Sequence, residues 1–208
     1  MPDLTLHWSP RSPFVRKVLV TAHELDLFDR LRLVRTVVQM AHPNPAIMAD
    51  NPLGRIPALV RQDGSVLIDS GVICEFLDSL AGPGLIIPAS GNARWQELSR
   101  HAAATGILEI LVLWRNERDK PVERQTPEWL ASFDTKVNAS LIRFERDIRP
   151  INETPMRLSC IALGCVLSYL DFRFGSFGWR SSYPALAEWH LKFAKRRSAI
   201  ATEVVDDN

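Results

Sequence analysis

The chain has 208 residues, a length that fits one large domain or two small ones. Hydrophobic residues make up 46% and charged residues 24%, ordinary values for a protein with a real core. A formal charge of +1 gives no reason to expect nucleic acid or an anionic membrane surface as a partner, no run approaches the ~18 apolar residues of a transmembrane helix, and the first residues lack the basic-then-apolar pattern of an export signal.

Residues 4–8 form a short apolar run that reads as a strand. Ser12 stands where a helix N-cap belongs, and Pro13 takes the first helical position. The helix that follows runs to about Leu25 and sets Val15, Val18, Leu19, Ala22 and Leu25 at helical spacing. Residues 31–38, rich in Leu and Val, give a second strand. Residues 42–52 carry three prolines and two asparagines, which predicts a loop with at most a short helix. Residues 56–61 and 65–68 are short apolar runs parted by Gln62-Asp63-Gly64, a hairpin signal. Residues 71–80 are a helix with Val72, Ile73, Phe76 and Leu77 facing inward. Strand, helix, strand, loop, strand, strand, helix is the order of a thioredoxin-like α/β sandwich, here residues 1–81.

Gly82-Pro83-Gly84, Pro88 and Ser90-Gly91 mark residues 82–91 as a linker. Everything beyond, 92–208, reads as helix. One long segment covers 95–117. A second covers 128–149 and carries Leu130, Phe133, Val137, Leu141, Phe144 and Ile148 along one side. Residues 158–172 are apolar almost all round, the mark of a buried central helix, and 185–195 follow Tyr183-Pro184 as another. The predicted class is therefore an α/β domain followed by an all-α helical bundle.

Cys74, Cys160 and Cys165 are odd in number, lie in apolar stretches and form no Cys-x-x-Cys pair. Three buried thiols fit a reducing, cytoplasmic setting. His7, His23, His42, His101 and His190 show no metal-ligand spacing, so no metal is expected; His23 and His101 read as helix-surface or packing residues.

The chemistry starts at Ser12. A hydroxyl at the first turn of a helix sits over unpaired N–H groups at the positive end of the helix dipole. That place suits an anion, and a thiolate is an anion. A thioredoxin-like fold often carries a reactive cysteine here; this chain carries serine, so a sulfur, if there is one, must arrive on a ligand. Lowering a thiol pKa of about 8.5 by ~2 units takes roughly 2.7 kcal/mol of preferential thiolate stabilisation. A helix N-terminus supplies ~0.3–1 kcal/mol, up to about 2 when partly buried. A hydroxyl donating to a charged acceptor adds ~1.5–3 kcal/mol, so the two together are large enough without a general base.

Four segments carry a resemblance: Ser12-Pro13-Phe14-Val15-Arg16-Lys17, Asn51-Pro52-Leu53-Gly54-Arg55-Ile56-Pro57-Ala58-Leu59, Leu67-Ile68-Asp69-Ser70 before a helix, and Ile161-Ala162-Leu163-Gly164-Cys165 leading to Tyr169-Leu170-Asp171-Phe172-Arg173. In this order and at these spacings the chain resembles the cytosolic glutathione S-transferase family over almost its whole length, most closely the bacterial members with a Ser-Pro-Phe-Val-Arg-Lys segment. The resemblance implies glutathione as co-substrate, a small electrophile as second substrate, a detoxification role and a homodimer. It makes Ser12 the catalytic residue, with Ser9 as a rival hydroxyl. It assigns glutathione to Ser12, Phe14, Gln39, Arg55, Ile56, Pro57, Asp69 and Ser70, with His42 as a further contact for the glycyl end. Ile56-Pro57 corresponds to the family's cis-proline junction, which leaves the Ile56 backbone free to pair with a peptide ligand like an added strand. Asp69 and Ser70 would receive the γ-glutamyl end, with Ser70 able to cap its helix. Arg16 is expected to support the fold from the inner side of its helix.

The electrophile pocket is expected at Phe14, Leu111, Trp114, Arg115 and Arg118, where arginines would suit an acidic or polar substrate. One departure stands out. The family starts its central helix with Ser or Thr and, three residues on, Asp; here those positions are Arg157 and Cys160, so the buried capping box is missing. Thr154 could cap one turn earlier. The leading expectation is a glutathione transferase; a non-catalytic, ligandin-like glutathione binder, a glutathione-dependent reductase or peroxidase, and a pure interaction module are the alternatives.

Overall fold

A computed structural model describes residues 3–148 and 155–206. The N-terminal part is a four-stranded mixed sheet in the order β2-β1-β3-β4, formed by β1 (Leu4–Trp8), β2 (Leu31–Arg35), β3 (Ala58–Val60) and β4 (Val66–Leu67). β1 runs parallel to β2, with Leu4 opposite Leu31, and antiparallel to β3, with His7 opposite Ala58. β3 and β4 are antiparallel and joined through the Asp63-Gly64 turn, where Gly64 takes φ +79°. Helices α1 (Pro13–Glu24), α2 (Pro45–Met48) and α3 (Ser70–Ala81) complete this thioredoxin-like domain. Its core joins Leu4, Leu6 and Leu59 of the sheet to Val15 and Val18 of α1 and Ile73 and Leu77 of α3.

The second strand is shorter than the predicted 31–38. One more ladder bond, from Thr36 N–H to the Trp8 carbonyl, follows Arg35. β1 itself ends at Trp8, so Val37 and Val38 have no neighbour to pair with and are exposed. On α3, Val72 is exposed rather than inward, and Cys74 takes its place in the buried stripe.

The C-terminal domain is helical: α4 (Gly91–Arg118), α5 (Pro127–Arg146), α6 (Leu158–Arg173), α7 (Trp179–Ser182), α8 (Pro184–Ala194) and α9 (Arg197–Ala201). Every residue of α6 from Leu158 to Leu170 is buried, as its all-round apolarity requires. Gly164 lets α8 approach it: a Cβ added there would lie 2.3 Å from the Phe193 ring. No single helix among the described residues is long and apolar enough to cross a membrane. Cys74, Cys160 and Cys165 are buried, and none of them forms a disulfide.

The start of α6 resolves the departure noted in the sequence. Arg157 occupies the N-cap without a side-chain cap. The capping carboxylate comes instead from α4: Ser159 N–H donates to Glu97 Oε1 at 2.6 Å, and Leu158 N–H donates to the Ile86 carbonyl at 3.2 Å. Glu97 is buried, so it offers one of the orphan N–H groups of that helix start an acceptor that water could not reach. Thr154, the cap expected one turn earlier, lies outside the described residues.

Candidate functional site

Sheet topology gathers the three key segments at one end of the sheet. β1 leaves its C-terminal end toward Ser9 and Ser12. Because β3 is antiparallel to β1 and pairs from Ala58, the Ile56-Pro57 junction enters at that same end. β4 is antiparallel again, with Leu67 opposite Leu59, and delivers Asp69 and Ser70 there too.

Ser12 is the N-cap of α1. Its Oγ accepts from Val15 N–H at 3.3 Å and its carbonyl from Arg16 N–H at 3.0 Å. The hydroxyl proton remains to be donated elsewhere, and the side chain is partly exposed. Ser9 is nearly buried, at 7% exposure, and its Oγ accepts from Arg11 N–H at 3.4 Å. Ser12 is thus the more accessible of the two hydroxyls.

The Ile56–Pro57 peptide is cis. Ladder pairing begins only at Ala58, after the Ile56 backbone. Asn51 holds the preceding turn, donating through Nδ2 to the Arg55 carbonyl at 2.8 Å and accepting from Leu53 N–H at 3.1 Å, while Gly54 supplies φ +61°. Arg55, Gln39 and His42 lie on neighbouring loops, and all three are exposed.

At α3 the cap is Asp69, not Ser70. Asp69 Oδ1 accepts from Gly71 N–H at 2.8 Å and Val72 N–H at 3.3 Å, and Ser70 is the first helical residue, 2% exposed. Both residue types cap well, and the longer carboxylate reaches two donors where a serine hydroxyl reaches one. The Ile68–Asp69 peptide is also cis.

Behind these two helix starts lies a polar cluster that the sequence did not disclose. Lys17 is fully buried; its ammonium donates to His101 Nε2 at 2.9 Å and to Thr105 Oγ1 at 3.1 Å. Burial lowers the Lys17 pKa, against the pull of nearby acidic groups including Asp69. Burial, and then the Lys17 charge, take His101 down to about 3, so its ring is neutral and its nitrogen can accept. The His101 ring presses on α3: a Cβ on Gly71 would meet its Cε1 at 3.0 Å. Burial pushes the Cys74 thiol up to about 11, and Thr21 donates to its sulfur at 3.3 Å. A lysine next to the apolar stripe of α1 is the one signal in the sequence that points to this cluster. Arg16 does face inward: its Nη2 donates to the Ala199 carbonyl at 3.2 Å and its guanidinium lies 5.9 Å from the Phe193 ring.

The expected electrophile wall is mixed. Phe14 and Trp114 pack, partly buried, against the helical core. Leu111 is fully buried within that core and presents no surface. Arg115 Nη2 donates to Asn116 Oδ1 at 2.6 Å. Arg118 lies 4.6 Å over the Phe174 ring and donates to the Arg173 carbonyl at 2.8 Å. Two further arginines, which no sequence pattern places at this wall, join it. Arg173 donates through both terminal nitrogens to Asp206, at 3.0 and 3.2 Å, and Arg11 Nη1 lies 3.7 Å from the same carboxylate. The described residues hold no group of three or more His, Cys, Asp or Glu placed to bind a metal ion.

The arrangement can therefore take an extended peptide at Ile56, an acid group at the first turn of α3 and an anion at Ser12. Comparison with known proteins bears on that chemistry. The family described as "Glutathione S-transferase, N-terminal domain" matches residues 11–80. A glutathione transferase family member from Pseudomonas fluorescens Pf-5, solved with bound glutathione, is 37% identical, covers 98% of this chain and 100% of its own, and superposes with a TM-score of 0.92. A second structure from the same organism, with bound S-(propanoic acid)-glutathione, is 35% identical over the same shares with a TM-score of 0.88. The GST-like protein YibF of Escherichia coli K12 is 26% identical over 194 residues, 92% of this chain and 94% of its own. By sequence and by structure, the chain belongs to the glutathione S-transferase family.

Proposed function

We propose that the protein is a glutathione transferase in which Ser12 holds the glutathione thiolate for attack on a small electrophile. The observation that carries this reading is the Ser12 cap. Its oxygen is engaged by Val15 N–H, which leaves its proton to donate to sulfur at the positive end of α1. The sulfur then forms a bond to carbon, the leaving group departs with the old bonding pair, and the thiol proton passes to solvent. Ser9, nearly buried, is the weaker partner for a ligand sulfur.

In this reading the γ-glutamyl end meets Asp69 and Ser70 at the first turn of α3, where Asp69 can take the ligand's amine and the Ser70 N–H its carboxylate. The cysteinyl backbone pairs with Ile56 beside Pro57, and Arg55, Gln39 and His42 lie on the side of the glycyl carboxylate. Phe14, Trp114, Arg115 and Arg118 border the electrophile. The relative holding S-(propanoic acid)-glutathione supports a cleft that accepts a substituted sulfur. We take residues 1–81 and 92–208 as the two domains, 82–91 as their link, and a cytoplasmic homodimer as the working form.

A binding and turnover panel tests the proposal. Glutathione should bind, and thiolate absorbance should develop on the bound ligand near neutral pH. Turnover should follow with at least one of an aryl halide, an organic hydroperoxide, a glutathionyl disulfide and a haloacid. Binding without thiolate formation would make the protein a carrier and not a transferase.

A further inference from the structure

Among the described residues, Lys17 is the one charged side chain with no exposed surface. Its ammonium donates to His101 Nε2 and Thr105 Oγ1, and both acceptors are neutral. Cys74, close enough to feel the charge, stays a thiol and supplies no counter-charge. Asp69 and Glu109 are the carboxylates that pull on the ammonium; both are exposed, and neither is hydrogen-bonded to it. Taking an ammonium out of water is costly, and two neutral acceptors offset only part of that cost. An apolar side chain of similar length would fill the same space without it. The feature that needs an explanation is therefore the charge, not the packing.

That charge lies behind the first turn of α3. Because His101 Nε2 accepts, the neutral ring carries its proton on Nδ1. The Nδ1–H meets no acceptor among the described residues, although His101 is only 9% exposed. The ring edge faces α3: a Cβ on Gly71 would stand 3.0 Å from His101 Cε1, 3.9 Å from His101 Nδ1 and 3.2 Å from Asp69 Oδ1. A helical Cβ tilts toward the N-terminus of its helix, so this shared point lies over the start of α3. There Gly71 N–H and Val72 N–H donate to Asp69 Oδ1, and Ile73 N–H donates to the Asp69 carbonyl. The Ser70 N–H is left for a ligand. A helix N-terminus, an unpaired ring N–H and a buried cation thus converge, with the exposed Asp69 beside them.

We propose that Lys17 is a positioning residue for glutathione: its buried charge, acting through the His101 ring, draws the α-carboxylate of the γ-glutamyl end to the first turn of α3. This deepens the transferase reading and rests on it. The γ-glutamyl end carries an ammonium and a carboxylate on one carbon. Asp69 takes the first and the Lys17 field attracts the second, so the head group is oriented as well as held. Lys17 repels the ammonium that Asp69 attracts. Removing its charge therefore acts with opposite sign on the two ligand groups.

The test measures calorimetric binding of three ligands: glutathione, 4-aminobutanoyl-cysteinylglycine, which lacks the α-carboxylate, and glutaryl-cysteinylglycine, which lacks the α-amine. Wild type, Lys17→Met and Lys17→Gln are compared. Wild type should prefer glutathione to both analogues. Lys17→Met should narrow the preference for the carboxylate by about tenfold and leave the preference for the amine equal or wider. Thr105 Oγ1, 3.2 Å from His101 Nε2, can donate there once the ammonium is gone, so this variant orphans no buried acceptor. Lys17→Gln, which keeps a donor but no charge, should behave as Lys17→Met does. Two preferences that narrow together, the mark of a damaged site, overturn the inference. So does a carboxylate preference that is absent in wild type, unmoved by the variants, or kept by Lys17→Gln alone; the transferase reading survives each of these. Failure of wild type to bind glutathione overturns the transferase reading, and this inference with it.

Discussion

The starts of α1 and α6 meet the same physical demand in opposite ways. At α1 the cap is local: Ser12 accepts from Val15 three residues on, and the turn is open to solvent. At α6 the cap is remote: Glu97 on α4 accepts from Ser159, and both residues are buried. Each start has N–H groups without helical partners. The exposed one can leave them to water and so keep capacity for a ligand. The buried one has to be satisfied by the chain itself, because an orphaned polar group there costs ~1–3 kcal/mol. Accessibility, more than capping chemistry, separates a binding turn from a structural one.

Acid should erase that distinction most completely, since it attacks the supports behind both helices. His101, bonded to Lys17 of α1, is held at about 3, and His190, 2.9 Å from Ser168 Oγ of α6, at about 4; burial is the main cause in each case. Both folded values lie below the unfolded one, so the unfolded chain takes up these protons first. Stability is full above about pH 6.5 and falls as pH drops toward 4, at about 1.4 kcal/mol per pH unit for each histidine. Urea unfolding at stepped pH measures the slope, and His190→Gln should remove one histidine's share of it.

Removing the remote cap comes next. Glu97→Ala should cost about 2 kcal/mol of stability, read by thermal or urea unfolding, with the glutathione Kd of the folded protein unchanged. Loss of binding in step with stability would mean that the α6 start feeds the site directly. Ser12→Ala should show the reverse pattern. Turnover should fall about tenfold or more through the lost donor to a charged sulfur, with only about 1 kcal/mol of stability lost with the cap. Equal rates for Ser12→Ala and wild type would remove this hydroxyl from the mechanism. Ser9→Ala is the smallest expected change, within about twofold in turnover, because that side chain is nearly buried.

Features whose causes are neighbours along the chain are legible in the amino-acid sequence itself. Residues 4–8 pair as a strand, Ser12 and Pro13 open α1, and Asp63-Gly64 turns the hairpin. The family resemblance implies a cis Ile56–Pro57 peptide, and that peptide is cis. Expectation and structure part where two local rules compete or a partner runs out. Asp69 and Ser70 are both cap formers, and the carboxylate takes the place expected of the hydroxyl; β2 loses its partner at the end of β1. Features that depend on distant pairs are not legible at all. Ser159 and Glu97 are 62 residues apart, Lys17 and His101 are 84, and Arg173 and Asp206 are 33. No periodicity or spacing encodes such meetings; they exist only once segments distant along the chain have packed.

The bare Cα of Gly164 has a reach that its lack of a side chain conceals. It sets how deeply Phe193 can sink toward α6, Phe193 in turn seats the Arg16 guanidinium, and Arg16 lies one turn along α1 from Ser12. The orientation of the first turn of α1 is thereby gauged against the innermost helix of the other domain. A methyl group introduced at position 164 would be felt, through a ring and a guanidinium, as a displaced hydroxyl on the far side of the joint.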